Sequence, residues 1–181
     1  MSLPKRGEKE NGDTVVVRAE GNRQLIAIID GLGHGARAAH ASQMGASFLS
    51  TVDLSTEPQQ ILRGLDLALR TSLGAAATLC IREGARLRGC GIGNVEIRST
   101  LASFSPVITT GILGRTIKPA VIFETRLRAE CRFILHSDGI SDRFGWSELR
   151  TIPRRAACEK LIAQHRQNDD DASVVVFDVE T

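Results

Sequence analysis

The sequence predicts an α+β layered domain with antiparallel sheets and helices packed outside them. Strand-like runs come first, then two helical stretches, many further strand-like runs, a helix and a last strand. No regular βαβ alternation occurs, which argues against a parallel sheet. A chain of 181 residues is long enough to bury ~70% of its unfolded surface. We therefore expect one domain over 1–181, with the polar residues 1–12 flexible.

The first part of the chain predicts a hairpin followed by two helices. The two strand-like runs of the hairpin are Thr14–Ala19 and Gln24–Ile29. The predicted helices cover 36–50, which is rich in alanine, and 57–70. Thr56 and Gln59 have the spacing of a capping box at the start of the second helix. Apolar residues of that helix recur at the helical period, which predicts one buried face.

The second part is rich in strands. Three runs with a tight connection between the first two predict strands at Ala76–Arg82, Ala85–Gly91 and Val95–Ser99. Loops are expected over 103–118, and a hairpin from Pro119–Leu127 and Arg132–His136. Short helices are expected within 140–150, a helix from Pro153 to about Gln167, and a last strand at Ser173–Val179.

Composition excludes several classes of function. The net charge is only +2, and the chain has no Tyr, one Trp and six Phe, so a nucleic-acid partner is not expected. No apolar run approaches the ~20 residues of a membrane span, so no membrane association is expected either. The four cysteines lack paired metal-ligand spacing. They predict free thiols in a reducing, cytoplasmic environment.

Three acidic segments, far apart in the chain, adjoin apolar runs. Asp30 and Asp138 each end a strand-like run, and Asp170 lies just before another. A carboxylate at a strand end must be solvated, paired or metal-bound. Three such groups in one place would repel one another unless a divalent cation neutralised them, and Mg²⁺ and Mn²⁺ prefer oxygen ligands. The pattern predicts a metal-dependent hydrolase in which these three aspartates carry the catalysis.

Two other interpretations of the same segments remain. Asp-Gly and Asp-Asp are common in turns between strands, so each aspartate taken alone fits a turn. The run Gly31-x-Gly33-x-Gly35 after a strand is also similar to a dinucleotide-binding turn. Its third glycine comes one residue early, and Asp30 would direct a negative charge at the pyrophosphate. The nucleotide interpretation is therefore the weaker one.

Several other residues have both a structural and a functional interpretation. His34 either forms a structural hydrogen bond at the glycine-rich bend or donates a proton to a leaving group. His136 and Trp146 are expected to serve packing. The arginines within 126–132 and 150–155 form either a solvated surface or a docking patch for a protein.

The acidic segments resemble the motifs of the PP2C-type (PPM) metal-dependent serine/threonine phosphatases. The matching segments are Asp30-Gly31-x-Gly33-x-Gly35, Ser137-Asp138-Gly139-Ile140 with Asp142, and Asp170-Asp171-x-Ser173-Val-Val-Val. Gly12-Asp13 and Gly89-x-Gly91-x-Gly93-Asn94 fit the same family in order and spacing. The resemblance covers nearly the whole chain.

The resemblance implies a fold and a metal site. The fold would be a two-sheet, mainly antiparallel β-sandwich flanked by helices in α-β-β-α layers. Two Mn²⁺ or Mg²⁺ ions would lie at one end, with Asp30 bridging both and the Gly31 carbonyl binding one. Asp138 and Asp170 would complete the other position. Three further aspartates would hold ligands or bind through water: Asp13, Asp142 and Asp171.

Two departures from the family pattern bear on this site. Many relatives carry an acid where this chain has Gly12, so the second ion is expected to bind weakly. The basic residue that binds the substrate phosphate in some relatives has only candidates here: Arg6, Arg18 and Arg23.

The resemblance also implies a function. The protein would remove phosphate from serine or threonine of a regulatory partner, as do family members that act on STAS-domain proteins of the bacterial stressosome. Two alternatives remain open: a non-catalytic binding module with the same fold, and a hydrolase for small phosphate esters.

Overall fold

The computed structural model describes residues 1–115, 117–127 and 129–179. Its strands are β1 (Ser2–Leu3), β2 (Asp13–Glu20), β3 (Arg23–Gly31), β4 (Ala75–Glu83), β5 (Arg86–Ile92), β6 (Glu96–Ser99), β7 (Phe123–Arg126), β8 (Cys131–His136) and β9 (Ala172–Val179). Its helices are α1 (Ala36–Leu49), α2 (Pro58–Ala68), α3 (Trp146–Leu149) and α4 (Arg154–His165). Every strand pair in the two sheets is antiparallel, which confirms the predicted α+β class.

One sheet has five strands in the order β2-β3-β4-β5-β7. The predicted first hairpin is present, because β2 and β3 pair along their whole length from Glu20 opposite Arg23 to Asp13 opposite Asp30. This register places two carboxylates side by side at one end of the hairpin. Asp30 also faces Ala76 of β4, whose small side chain leaves room beside the carboxylate.

The other sheet has four strands in the order β1-β9-β8-β6. Its edge strand β1 belongs to the segment 1–12, for which the sequence predicts flexibility. The structure instead pairs Ser2 with Ser173 and Leu3 with Ala172. The segment lies against the sheet because backbone and hydroxyl hydrogen bonds fix it there, including one of 2.6 Å between Ser2 and Ser173 side chains. The polar composition of this segment gave no sign of these contacts in the sequence.

Three apolar layers separate the sheets and helices and give the α-β-β-α order. One lies between the five-stranded sheet and the helices α1 and α2, and contains Ile29 and Leu65. The central layer lies between the two sheets and contains Ile28 and Phe133. The third lies between the four-stranded sheet and α3 and α4, and contains Leu161. Ile28 and Ile29 enter different layers because successive strand residues point to opposite faces.

The predicted hairpin of Pro119–Leu127 with Arg132–His136 is wrong. In the structure β7 pairs with β5, whereas β8 pairs with β6 and β9 in the other sheet. The reason lies in the central layer, where the Phe104 ring contacts Phe123 of β7 at 5.6 Å and Phe133 of β8 at 5.2 Å between centroids. Placing one strand in each sheet buries both aromatic side chains, and strand alternation alone does not distinguish this from a hairpin.

The helices follow the prediction with two changes. The capping box of Thr56 and Gln59 is absent, because α2 begins after Glu57 and the Gln59 side chain donates to the Ala120 carbonyl at 2.6 Å. Within 140–150 only α3 is helical. Cys80, Cys90, Cys131 and Cys158 are free thiols. In the described part of the chain, no helix combines the length and apolarity needed to cross a bilayer.

Candidate active site

The three aspartates that the sequence singles out line one cleft. Asp30 is the second-last residue of β3 in the five-stranded sheet, Asp138 follows β8, and Asp170 precedes β9 of the four-stranded sheet. The cleft has a volume of about 490 Å³ and is also lined by Asp169, Asn94 and a loop around Gly111. The site therefore lies where the ends of the two sheets meet, and each sheet contributes carboxylates.

Two further aspartates lie behind the cleft. Asp13 is buried opposite Asp30, and its Oδ2 accepts a 2.6 Å hydrogen bond from the Ser137 hydroxyl. Asp171 is also buried, and its Oδ1 accepts a 2.8 Å bond from the Lys5 backbone N–H. Among the described residues, Asp13 Oδ1 and Asp171 Oδ2 are buried without a hydrogen-bond partner. Buried carboxylate oxygens normally have partners, so these two atoms would suit a cation or a water bound to one.

The electrostatics of the site point the same way. The pKa of Asp30 is raised to about 9. Burial is the largest cause, and the negative charges of four other aspartates contribute the rest: Asp13, Asp138, Asp170 and Asp171. Burial likewise raises the pKa of Asp13 to about 6, although the Ser137 hydroxyl opposes the shift. Burial and the charge of Asp170 raise the pKa of Asp138. Without a cation, these carboxyl groups cannot all be ionised at neutral pH.

These residues fit a divalent cation. All the converging side chains offer oxygen, which suits Mg²⁺ and Mn²⁺. In the described ranges, no three His, Cys, Asp or Glu side chains form a ready-made group that could hold an ion by itself. Mg²⁺ commonly binds through one or two carboxylates and keeps several waters. A backbone carbonyl such as that of Gly31, together with water, would complete the ligands.

Glycines follow two of the aspartates for a steric reason. A Cβ on Gly31 would overlap the carbonyl of Ala38 in α1, and a Cβ on Gly139 would overlap the carbonyl of Asp171. The chain can therefore bring α1 close behind Asp30 and the β9 segment close behind Asp138 only if glycine occupies both positions. The Asp-Gly pairs reflect close backbone approach at the site and are more than turn formers.

The hydrogen-bonding residues that hold the carboxylates were the part that sequence reasoning missed. The Asn94 side chain donates to Asp138 Oδ2 at 2.5 Å, and Gln167 donates to the Asp138 carbonyl at 2.8 Å. Ser137 links two elements, since its hydroxyl donates to Asp13 and accepts the Ser173 N–H at 2.9 Å. Asn94 and Ser137 belong to the family motifs, and this was the signal available for them.

The structure does not bring Asp142 into the acidic group. Asp142 is exposed, its backbone carbonyl accepts a hydrogen bond from Arg98, and its charge is not among those that act on Asp30. The candidates for binding the substrate phosphate are also not in the cleft. Arg18 and Arg23 form ion pairs with Glu20 and Glu83 on the sheet. No lysine or arginine of the described residues lines the cleft.

The histidines and arginines differ in role. His34 lines the cleft, and its Nδ1 lies 2.8 Å from Glu8 Oε1. His136 is buried, and burial lowers its pKa, which fits packing. Arg132 is structural, because it binds Asp178 at 2.7 Å and also the carbonyls of α3 and the following turn. Arg128, within the predicted docking patch, lies outside the described residues.

Comparisons with known proteins agree with this geometry. No family model matches the chain. The phosphoserine phosphatase RsbX of Bacillus subtilis (strain 168) is 25% identical over 146 residues, which cover 77% of this chain and 72% of RsbX. A solved structure described as the bacterial stressosome, a modular system adapted to control secondary messenger signaling, contains a similar chain. That chain has a TM-score of 0.90 and 26% identity, with 97% of this chain and 95% of the other covered.

Two further solved structures share the fold. RsbX in complex with magnesium has a TM-score of 0.87 and 20% identity, covering all of this chain and 93% of that one. The serine/threonine phosphatase PstP of Mycobacterium tuberculosis has a TM-score of 0.70 and 22% identity, covering all of this chain and 97% of that one. In sequence and in fold, this chain is similar to the phosphoserine phosphatase RsbX, and in fold it is also similar to the serine/threonine phosphatase PstP.

Proposed function

We propose that this protein is a divalent-metal-dependent phosphatase that hydrolyses phosphoserine or phosphothreonine on a regulatory protein partner. The observation that carries the proposal is the convergence of Asp30, Asp138 and Asp170 on one open cleft, with Asp13 and Asp171 buried behind them. So many carboxylates in one place would oppose the binding of a phosphate unless divalent cations offset their charge. We therefore expect the carboxylates to bind divalent cations, and the bound cations to bind the phosphate.

Asp30 would hold cations at both positions, with the Gly31 carbonyl at one and Asp138 and Asp170 at the other. Bound Mg²⁺ or Mn²⁺ supplies a water activated for attack on phosphorus, together with charge that stabilises the transition state. Net hydrolysis of the ester P–O bond would consume one water and release inorganic phosphate and the free hydroxyl of the serine or threonine. No cysteine of the described chain lines the cleft, so a covalent cysteinyl-phosphate step is not needed.

The remaining residues keep the carboxylates in position. Asn94 fixes the Asp138 side chain through its hydrogen bond, and Ser137 fixes Asp13. The segment 1–12 contributes the Lys5 N–H to Asp171. His34, held by Glu8 at the cleft edge, is placed to hydrogen-bond a bound phosphoester or its leaving oxygen. Rigid ligands reduce the reorganisation that the reaction requires.

For the partner, we propose a phosphorylated STAS-domain component of a stressosome. Support comes from the similarity to RsbX, which is named a phosphoserine phosphatase, and from the similar chain in the stressosome structure. The open cleft without basic side chains also favours a protein substrate, since a small phosphate ester would have few contacts besides the metal. The free thiols fit a reducing cytoplasm as the compartment.

The test compares three substrates under controlled metal content. A phosphoserine STAS-domain protein, a short phosphoserine peptide and an aryl phosphate are each incubated with Mn²⁺ or Mg²⁺, and phosphate release is followed. We expect the protein substrate to have the highest kcat/KM and chelator to abolish release. Asp53→Asn, an exposed change outside the cleft, serves as a matched control. Hydrolysis that persists after full chelation would refute the metal proposal, and equal efficiency on all substrates would favour a small-ester hydrolase.

A further inference from the structure

A second groove, larger than the acidic cleft, lies between α2 and the residues 114–115 and 117–120. Its volume is about 950 Å³. Four of the side chains along it are basic and exposed: Arg63, Arg70, Arg115 and Lys118. This surface, which we call the basic groove, is distinct from the arginine stretches that the sequence singled out as a docking patch.

The basic groove is positively charged because Asp66, the one acid among its described residues, already has hydrogen-bonding and ion-pair partners. Asp66 is buried, accepts a 2.8 Å hydrogen bond from the Gly114 N–H and lies 3.7 Å from Arg70. Arg63 and Lys118 have no ion-pair partner among the described residues. Exposed cations without partners are available to an acidic ligand.

Apolar surface accompanies this charge. Leu67 lines the basic groove and is 58% exposed, whereas the other leucines of α2 are buried. Val121 and Ile122, directly after the groove residue Ala120, are also exposed. A ligand that combines acidic and aliphatic side chains fits this surface. A nucleic acid fits less well, because none of the described residues that line the groove has an aromatic side chain for base stacking.

One loop connects the basic groove to the acidic cleft. Ile112 lines the cleft and Gly114 lines the groove. Leu113 between them is fixed by two backbone hydrogen bonds to Ala75 at the start of β4, at 2.8 and 3.2 Å. Both surfaces therefore border the same short, anchored segment, and one extended polypeptide could contact both.

We propose that the basic groove binds an acidic, leucine-containing segment of the phosphoprotein substrate while its phosphoserine occupies the acidic cleft. The inference rests on the proposed phosphatase function and names where its substrate selectivity arises. Contacts remote from the reacting group raise kcat/KM for the substrate that makes them. The division of charge suits this role, since the cleft itself presents carboxylates and the groove presents the cations.

The first experiment measures binding without catalysis. A fluorescent, unphosphorylated peptide of Glu, Asp and Leu is titrated with metal-free protein, and its Kd is compared between the natural chain and an Arg63→Glu, Lys118→Glu variant. We expect the double charge reversal to weaken binding at least about tenfold. Thermal melting checks that the variant folds. The same reversal at Arg154 and Arg155 on α4, in the opposite layer, should leave the Kd unchanged.

Equal Kd values for the natural chain and the Arg63, Lys118 variant would overturn the proposal, as would loss of binding only on reversal at α4. A single-stranded polyuridine that displaces the peptide at concentrations below the peptide's own Kd would overturn it in favour of nucleic acid.

The second experiment measures turnover. Two phosphoserine peptides share one phosphorylation site, and their extensions differ only in Glu and Asp against Gln and Asn. The natural chain should show a lower KM for the acidic peptide at similar kcat, and the Arg63, Lys118 variant should lose this difference while hydrolysing an aryl phosphate normally. A retained preference in the variant contradicts docking in the groove. Absence of hydrolysis of every phosphoserine peptide, with groove-dependent binding intact, refutes the phosphatase function separately.

Discussion

The two sheets contribute to the acidic cleft in different ways. The five-stranded sheet supplies Asp30 from within a paired strand, where Asp13 lies opposite it and Ala76 lies on the other side. The four-stranded sheet supplies Asp138 and Asp170 from turns next to its strands, and Asp138 is exposed. One side of the cleft is therefore held by a hydrogen-bonded ladder, and the other by side chains such as Asn94.

The difference shows in the electrostatics. Burial raises the pKa of Asp30 to about 9, because its position in the ladder shields it from water while it remains close to four other carboxylates. Burial also raises the pKa of Asp138, and the hydrogen bond from Asn94 opposes that shift. A charge that the fold holds in an unfavourable place is typical of a functional site. We call the half of the cleft at Asp30 the ladder side and the half at Asp138 and Asp170 the turn side. Substitutions on the ladder side should therefore reduce activity more than substitutions on the turn side.

The largest effect is expected at the ladder side. Asp30→Asn removes the charge that both cation positions would share, and should lower kcat/KM on a phosphoserine substrate by about a hundredfold or more. The fold should persist, because the substitution relieves repulsion from four carboxylates. Steady-state kinetics at saturating Mn²⁺ and circular dichroism would check both parts. Activity close to that of the natural chain would show that Asp30 is no ligand.

Substitutions on the turn side should lower activity less, and their effects should overlap when they are combined. Asp138→Asn and Asp170→Asn should each lower kcat/KM by about ten- to a hundredfold through weaker metal binding. If both serve one position, the double variant should lose far less than the product of the single losses. A double-mutant cycle with metal affinity as a second readout measures this coupling. Fully multiplicative losses would instead assign the two carboxylates to separate positions.

The pH dependence of stability should separate the metal-free and metal-bound forms. The pKa values of Asp13 and Asp30 are raised from 3.8 to about 6 and about 9, so the folded state retains protons that the unfolded chain releases. The stability linked to these groups is complete below their ordinary pKa and is lost as pH rises through about 6 and then about 9.

The free energy of unfolding of the metal-free protein should accordingly fall across this range. Urea titrations with chelator and with Mg²⁺ would measure it, and Mg²⁺ should flatten the slope by replacing the protons. Asp30→Asn should remove the upper part of the slope in chelator. A metal-free stability that rises with pH between about 5 and about 9 would contradict the assigned shifts.

The smallest effect is expected from the side chain that positions Asp138. Asn94→Ala removes one hydrogen bond at the open side of the cleft, and should weaken apparent metal affinity by about two- to tenfold with little change in kcat at saturating metal. Asn22→Ala, in the exposed turn between β2 and β3, provides the matched control. A large loss of kcat that extra metal does not restore would assign Asn94 a direct role in the reaction.

Much of this molecule was predictable because its signals are local. The β2–β3 hairpin, α1, α2 and α4 follow from turn residues and apolar periodicity in short windows. Asp30, Asp138 and Asp170 could be selected because each is an aspartate at the end of an apolar run, and the motif resemblance linked them. The structure then brings all three to one cleft, as the sequence predicted.

Other features could not be read from short windows. β7 and β8 are close in sequence, but they lie in different sheets because the central layer buries Phe123 and Phe133 from opposite sides. The polar segment 1–12 joins the second sheet through hydrogen bonds to residues more than 160 positions away. Polar composition predicts neither partner, since the stabilising atoms lie at the other end of the chain.

The sequence by itself determined the layered class, most elements and the set of acids, because these depend on residue type and spacing. Only the tertiary structure decided how these acids are arranged and what holds them. It leaves Asp142 exposed and apart, buries Asp13 against Ser137, and adds Asn94. It also assembled the basic groove from α2 and a distant loop. Such groupings depend on how two sheets and their helices pack, and packing joins residues that no local pattern connects.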